Sequence, residues 1–257
     1  MAGKVIVITG ANGGFGRALA RRFAADGERL FLLVRSLDKV RPLADELGPG
    51  VTIVQCDTSS PASVRIAFEE VARSAPRIDV LINNAAVMIS FLIEAATDAQ
   101  ITEMVMTNLA GPIACARSAI PLLGTGGHII NVSSEAVEVT FPFYVGYQAT
   151  KAGLERFTQS LNWELEDRGI RVTTVRAGQM RDPQDPPRID PVEGARFFAE
   201  SARRGIHLAE RGTSDYASAT HIFRAIIDSP PDLQIGLVSL RGRPIPRPAE
   251  PSNPRTS

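Results

Sequence analysis

The apolar run Val5-Ile6-Val7-Ile8 passes directly into Thr9-Gly10-Ala11-Asn12-Gly13-Gly14-Phe15-Gly16, and a helical pattern over 15–25 follows, stopped by Gly27. Few junctions constrain a fold so tightly. A β-branched run without polar alternation reads as a strand buried on both faces, as a central parallel strand must be. Glycines at the junction let the backbone approach a phosphate with no Cβ in the way. The helix opening there offers free N–H groups and the positive end of its dipole. The junction therefore predicts the first βα unit of a dinucleotide-binding fold, with Gly10, Asn12, Gly13, Gly14, Phe15 and Gly16 around the phosphates. Glycine turns also serve tight bends that bind nothing, so the remainder of the chain has to agree.

It agrees through alternation. Apolar strands are predicted at 30–34, 51–55, 78–82, 128–132, 170–175 and 233–240. Helical patterns fall at 37–47, 61–74, before Asn108 and on to about 122, at 147–168 and at 214–227. Strand–helix repetition of this kind predicts an α/β fold: a single Rossmann-type, doubly wound parallel sheet of about seven strands with helices on both faces. We divide the chain into one catalytic domain over 1–240 and a disordered tail over 241–257, where Pro244, Pro246, Pro248, Pro251 and Pro254 crowd a stretch poor in apolar residues. The rhythm breaks over 181–212, where Pro183, Pro186, Pro187 and Pro191 precede an amphipathic stretch around Phe197 and Phe198. That segment is expected to be a mobile substrate lid.

Bulk properties exclude several classes of function. Lys plus Arg (28) balances Asp plus Glu (28), so no net charge points to nucleic acid or an anionic membrane. No apolar run approaches the roughly 20 residues that span a bilayer, and no cleavable leader pattern precedes the first strand, so a cytoplasmic location is expected. Cys56 and Cys115 are too few for a disulfide framework or a zinc site, and His128, His207 and His221 lack ligand spacing, so no metal is expected. No Gly-x-Ser-x-Gly elbow marks a serine hydrolase.

The glycine spacing Thr-Gly-x-x-x-Gly-x-Gly resembles that of the short-chain dehydrogenase/reductase family, and further motifs follow in the family's order. Asn83-Asn84-Ala85-Ala86 resembles its Asn-Asn-Ala-Gly with the last glycine replaced. Asn108 stands in Asn-Leu-Ala-Gly, Ser134 ends the fifth strand, and Tyr147-Gln148-Ala149-Thr150-Lys151 is the Tyr-x-x-x-Lys signature. The resemblance covers about 4–180 and implies a catalytic set of Asn108, Ser134, Tyr147 and Lys151. It also implies cofactor contacts from Asp57 and Thr58 after strand three, from Asn84, Ala85 and Ala86 after strand four, from Tyr147 and Lys151, and from Gly178 and Met180 after strand six. Members of the family often form tetramers, and a homodimer or homotetramer is expected here.

The chemistry stands on its own terms. A tyrosine titrates near 10 when unperturbed, and a lysine four residues on lies one helical turn away on the same face. Lowering the phenol by about three units needs roughly 4 kcal/mol of differential stabilisation, which a partly buried cation aided by a nicotinamide supplies. Tyr147 is then general acid in reduction and general base in oxidation, and Ser134 can hydrogen-bond and polarise the carbonyl; the resemblance implies that Asn108 fixes a proton-relay water. Tyr144 is an internal control, because its own i+4 residue is the neutral Gln148. Strand two ends at Val34, where NAD-selective proteins place a carboxylate, and Arg35 and Ser36 follow. Loss of the acid and gain of a guanidinium predict NADP(H).

Some residues depart from the family. Arg176-Ala177-Gly178 replaces its Pro-Gly, and Asp182 replaces a threonine near the phosphates; that acid is expected to point away or to pair with Arg181. The usual carboxy-terminal motif is replaced by Ile235-Gly236 and Leu240-Arg241-Gly242, which leaves the oligomeric state open. The expected activity is carbonyl–alcohol interconversion on a small molecule. The alternatives are a catalytically silent NADP-binding redox sensor, or an epimerase or dehydratase, for which about 80 residues after strand six leave too little substrate domain. Ala110, Val137 and 141–143 are weak pocket candidates.

Overall fold

The run that opens the chain becomes β1 (Val5–Thr9) and lies at the centre of a seven-stranded sheet. In the computed structural model, which describes residues 3–183 and 190–243, the strands are β2 (Arg29–Val34), β3 (Val51–Gln55), β4 (Ile78–Asn83), β5 (Leu123–Ser134), β6 (Arg171–Ala177) and β9 (Leu237–Leu240). Their order is β3-β2-β1-β4-β5-β6-β9, and every pairing is parallel. Two short strands, β7 (Met180–Arg181) and β8 (Ser214–Asp215), form a separate parallel ribbon.

Strand β1 pairs β2 on one edge and β4 on the other, so the order reverses beside it. That switch leaves a crevice at the carboxyl ends of β1 and β4, where open α/β sheets bind ligands. Period-two alternation divides the core. Ile6 and Ile8 pack with α1 (Gly14–Ala25) and α8 (Tyr216–Asp228), while Val7 packs on the opposite face with α3 (Pro61–Ser74), α5 (Gly111–Ala119) and α6 (Val145–Glu164). Cys56 and Cys115 are buried within that second cluster, and burial pushes the Cys56 thiol up to about 12.

Boundaries moved where local chemistry competes with periodicity. The helix expected over 37–47 begins later, as α2 (Arg41–Leu47), because Pro42 fits only its first turn. Strand β5 starts earlier than 128, and β9 shrinks to Leu237–Leu240. Asn108 falls in a π-helical segment, Met106–Ala110, between α4 (Asp98–Val105) and α5. The expected lid contains a regular helix, α7 (Pro191–Arg203), whose first N–H groups at Val192 and Glu193 are capped by Asp190. Its residues 184–189 lie outside the described residues. So does the tail from 244 on; just before it, Gly242 bridges Gly212, and Arg241 pairs with Glu138.

Candidate active site

The glycine turn owes its shape to close packing against the loop after β4. A Cβ on Gly10 would sit 2.8 Å from the Ala85 Cα, and one on Gly16 would collide with the Gly10 carbonyl. Thr9 Oγ1 accepts from the Asn84 and Ala85 amides, each at 3.0 Å, and Asn84 Nδ2 donates to the carbonyls of Thr9 (3.0 Å) and Gly10 (3.2 Å). The Asn84 amide is thus spent on joining two loops, and Thr9, read only as part of a motif, holds them. Gly13 caps α1 without a side-chain partner, and no acid occupies the first turn of the helix. Phe15 turns its ring into the core against Phe223 and Tyr216, at 4.9 and 5.5 Å between ring centroids, leaving only its main chain at the turn. Asn12 and Ala86 are exposed at the rim.

At the neighbouring strand ends, Arg35 is exposed and, among the described residues, forms no ion pair with Asp38. Val34, at the end of β2, is 1 % exposed and belongs to the core. Ser36 is half-buried beside it, Thr58 is buried, and Asp57 Oδ1 accepts from the Ser59 amide (3.0 Å) and hydroxyl (2.7 Å). Gly178 packs against the Leu240 carbonyl, and Met180 is half-buried in β7.

The expected partner of Asp182 is corrected. Asp182 pairs with Arg17 on α1, at 3.0 Å, whereas Arg181 faces Asp215 at 3.6 Å.

Ser134, Tyr147, Lys151 and Asn108 gather at the carboxyl end of β5 and the first turns of α6. Lys151 is 3 % exposed; its Nζ donates to the Val132 carbonyl at 2.8 Å and stands 5.8 Å from the Tyr147 ring centroid. Burial lowers its ammonium to about 8. Burial pushes the Tyr147 phenol up, and hydrogen bonding to the Ser134 hydroxyl works against that rise. Burial is the larger of these two influences on the phenol; the depression expected from Lys151 invokes the charge of a bound nicotinamide as well. Asn108 is fully buried: Oδ1 accepts from the Val87 amide and Nδ2 donates to the Val87 carbonyl, both at 2.8 Å. Nδ2 also reaches Thr150 Oγ1 (3.3 Å), which donates to the Tyr147 carbonyl at 2.8 Å. The Asn108 side chain thus braces Tyr147 from the π segment. A second buried chain, Asn83 to Asn131 to Thr158 with 2.8 Å bonds, ties β4, β5 and α6 together.

Above Tyr147 the helix α7 lays Phe197 against Tyr144 (5.1 Å between centroids) and Phe141 (5.9 Å). Phe143 adopts φ 65°, a left-handed conformation that costs a bulky residue energy; its carbonyl accepts from the Phe91 amide at 3.0 Å, and Arg196 covers its ring at 4.5 Å. Ala110 and Val137 are half-buried. Glu135, directly after Ser134, is buried and pairs with Arg211. Neither Glu135 nor Arg211 carries a sequence signal of its own.

The model of the short chain dehydrogenase family matches residues 4–186. The chain is 33 % identical over 182 residues to sulfoacetaldehyde reductase 2 of Chromohalobacter salexigens, covering 68 % of this chain and 71 % of that one. It is 35 % identical over 185 residues to the NADP-dependent 3-hydroxy acid dehydrogenase of Salmonella typhimurium, with the same 68 % and 71 % coverage. Among solved structures it resembles an alcohol dehydrogenase from the archaeon Thermococcus sibiricus complexed with 5-hydroxy-NADP, with a TM-score of 0.78, 26 % identity and coverage of 94 % of this chain and 99 % of that one.

Proposed function

The chain belongs to the short-chain dehydrogenase family, and from that premise we propose that this oxidoreductase is NADP(H)-dependent and interconverts a carbonyl and a primary or secondary alcohol, with Tyr147 as general acid and base. The convergence of Ser134, Tyr147 and the buried Lys151 beside the glycine turn carries the reading. The turn suits a dinucleotide: the start of α1 has no side-chain cap and no acid, and Arg35 is open for a 2′-phosphate. Lys151 would hold the nicotinamide ribose. Bound NADPH supplies the hydride.

The protein's own part is the proton. A phenol that burial keeps protonated at neutral pH is poised to donate from Oη to a carbonyl oxygen that Ser134 orients. The Lys151 ammonium, still largely charged at pH 7, then stabilises the phenolate left behind. Asn108 and Thr150 hold the Tyr147 backbone in place while this occurs. Exposed Ile101, Val105, Ile113 and Trp163 on α4, α5 and α6 support a homodimer or homotetramer, which light scattering on the purified chain checks.

Turnover of NADPH with a panel of ketones, aldehydes and 3-oxo acids tests the activity. Tyr147→Phe should lower kcat by about 10²-fold or more while NADPH affinity stays within a few-fold. Tyr144→Phe, which keeps the ring against Phe197, should remain near normal. Near-normal turnover by Tyr147→Phe would overturn the assignment, and NADPH binding without turnover on any carbonyl would favour a silent sensor.

A further inference from the structure

One turn beyond Lys151, α6 carries a charge that the proton transfer does not use. Glu155 follows at i+4 on the same buried face. The two side chains meet consecutive residues of β5: Lys151 Nζ donates to the Val132 carbonyl at 2.8 Å, and the Ser133 hydroxyl donates to Glu155 Oε1 at 2.7 Å. Arg176, in register with Ser133 on the neighbouring strand β6, grips Glu155 with two nitrogens, Nε to Oε1 at 2.9 Å and Nη2 to Oε2 at 2.6 Å. Its Nη1 reaches Glu138, which also accepts from Arg241. Glu155 and Arg176 are 7 % and 9 % exposed.

We propose that Arg176 is a positioning residue for the proton-transfer pair: it neutralises Glu155, so that Lys151 stays with Tyr147, and through Glu138 it steadies the turn that follows Ser134. The proposal rests on the reading of Tyr147 and Lys151 given above. A carboxylate one turn from a buried ammonium is its natural partner. Only a competitor that is permanently charged and matches the carboxylate with a planar fork holds it elsewhere. A buried ion pair is weak as a source of stability, so its place beside Lys151 calls for a different role. The other charges nearby are accounted for. Glu135 is taken by Arg211, and Glu138 by Arg176 and Arg241. Tyr144 at the start of α6 and Tyr216 on α8 act on Tyr147, with Ser134 facing it from β5 and the neutral Asn108 bracing it from the π segment. Burial lowers the Lys151 ammonium.

The chain has only the lysines Lys4, Lys39 and Lys151, so a ¹³C-lysine NMR titration of the whole protein resolves Lys151, assigned with Lys151→Met. Arg176→Met, leaving Glu155 uncompensated, should raise the Lys151 pKa by about one unit. Its kcat should fall about tenfold as Lys151 leaves its place. Glu155→Gln with Arg176 intact should shift Lys151 downward, and the double variant should restore it. If Arg176→Met does not fold, Glu155→Gln and the double variant still carry the opposite signs. An unchanged Lys151 titration in all folded variants overturns the proposal, even if turnover drops, because that pattern belongs to a merely structural pair. Should the shifts appear in a protein that reduces no carbonyl, the positioning stands and the oxidoreductase reading fails.

Discussion

Arg17 and Asp182 form an ion pair, Nη2 to Oδ2 at 3.0 Å, that joins the first turn of α1 to the segment beyond β6. An acid beside a phosphate-binding turn would repel a pyrophosphate; the guanidinium next to it cancels that charge. Arg17→Ala should therefore weaken NADPH binding about tenfold, and more strongly at low salt than at high salt. Asp182→Asn should tighten it a few-fold. Calorimetric titrations at two ionic strengths decide the matter, and equal affinities in all three proteins would dismiss any role for the pair.

Arg35 should carry the choice of cofactor. A charged hydrogen bond to a 2′-phosphate contributes about 1.5–3 kcal/mol, or roughly ten- to a hundredfold in affinity. Arg35→Ala should lose about that factor for NADPH and leave NADH nearly unchanged. Because Val34 is buried in the core, Val34→Asp should chiefly lower Tm, since it forces a carboxylate among apolar side chains. Equal binding of both cofactors by the unaltered protein would end this reading of strand β2.

His128 should make the fold acid-sensitive. It is 2 % exposed, and its Nε2 lies 2.8 Å from Thr173 Oγ1, which itself donates to the Ile235 carbonyl. The hydroxyl proton is committed to Ile235, so Nε2–H is the donor to Thr173, and among the described residues the buried Nδ1 has no hydrogen-bond partner. Burial first, and Arg171 second, lower the imidazole from 6.5 to about 3. Below about 6.5 the unfolded chain takes up a proton that the folded chain refuses until about 3. Stability is therefore complete above that window and declines through it, by up to roughly 1.4 kcal/mol per pH unit. His128→Gln, which keeps a donor toward Thr173, should flatten the fall in urea midpoint between pH 6.5 and 4. Parallel curves for the two proteins would show that other groups govern acid stability.

The helix α7 should behave as the cover of the site. It meets the active-site loops through Phe197 on Tyr144 and Phe141 and through Arg196 on Phe143, and is otherwise largely exposed. Amide exchange there should be faster than in α6 and should slow when cofactor and substrate are both added. Phe197→Ala should raise KM for a bulky ketone more than it lowers kcat. Exchange in α7 as slow as in α6 without ligand would mark a fixed structural element instead.

The sequence by itself determined what depends on local period and on residues without alternatives. The β-branched run Val5–Thr9, the glycines packed against Ala85 and the Gly10 carbonyl, and the four-residue step from Tyr147 to Lys151 each follow from strand, turn or helix geometry over a few residues. The parallel sheet and the grouping of the catalytic candidates were legible for that reason. Only the tertiary structure decided which charges meet and what burial does to them. Asp182 turned to Arg17 rather than to its neighbour Arg181; Val34 went into the core; burial pushes the Tyr147 phenol up; Arg176 crossed from β6 to Glu155 on α6. Each outcome depends on desolvation and on partners brought together by long-range strand pairing, and neither quantity is written in the spacing of residues along the chain.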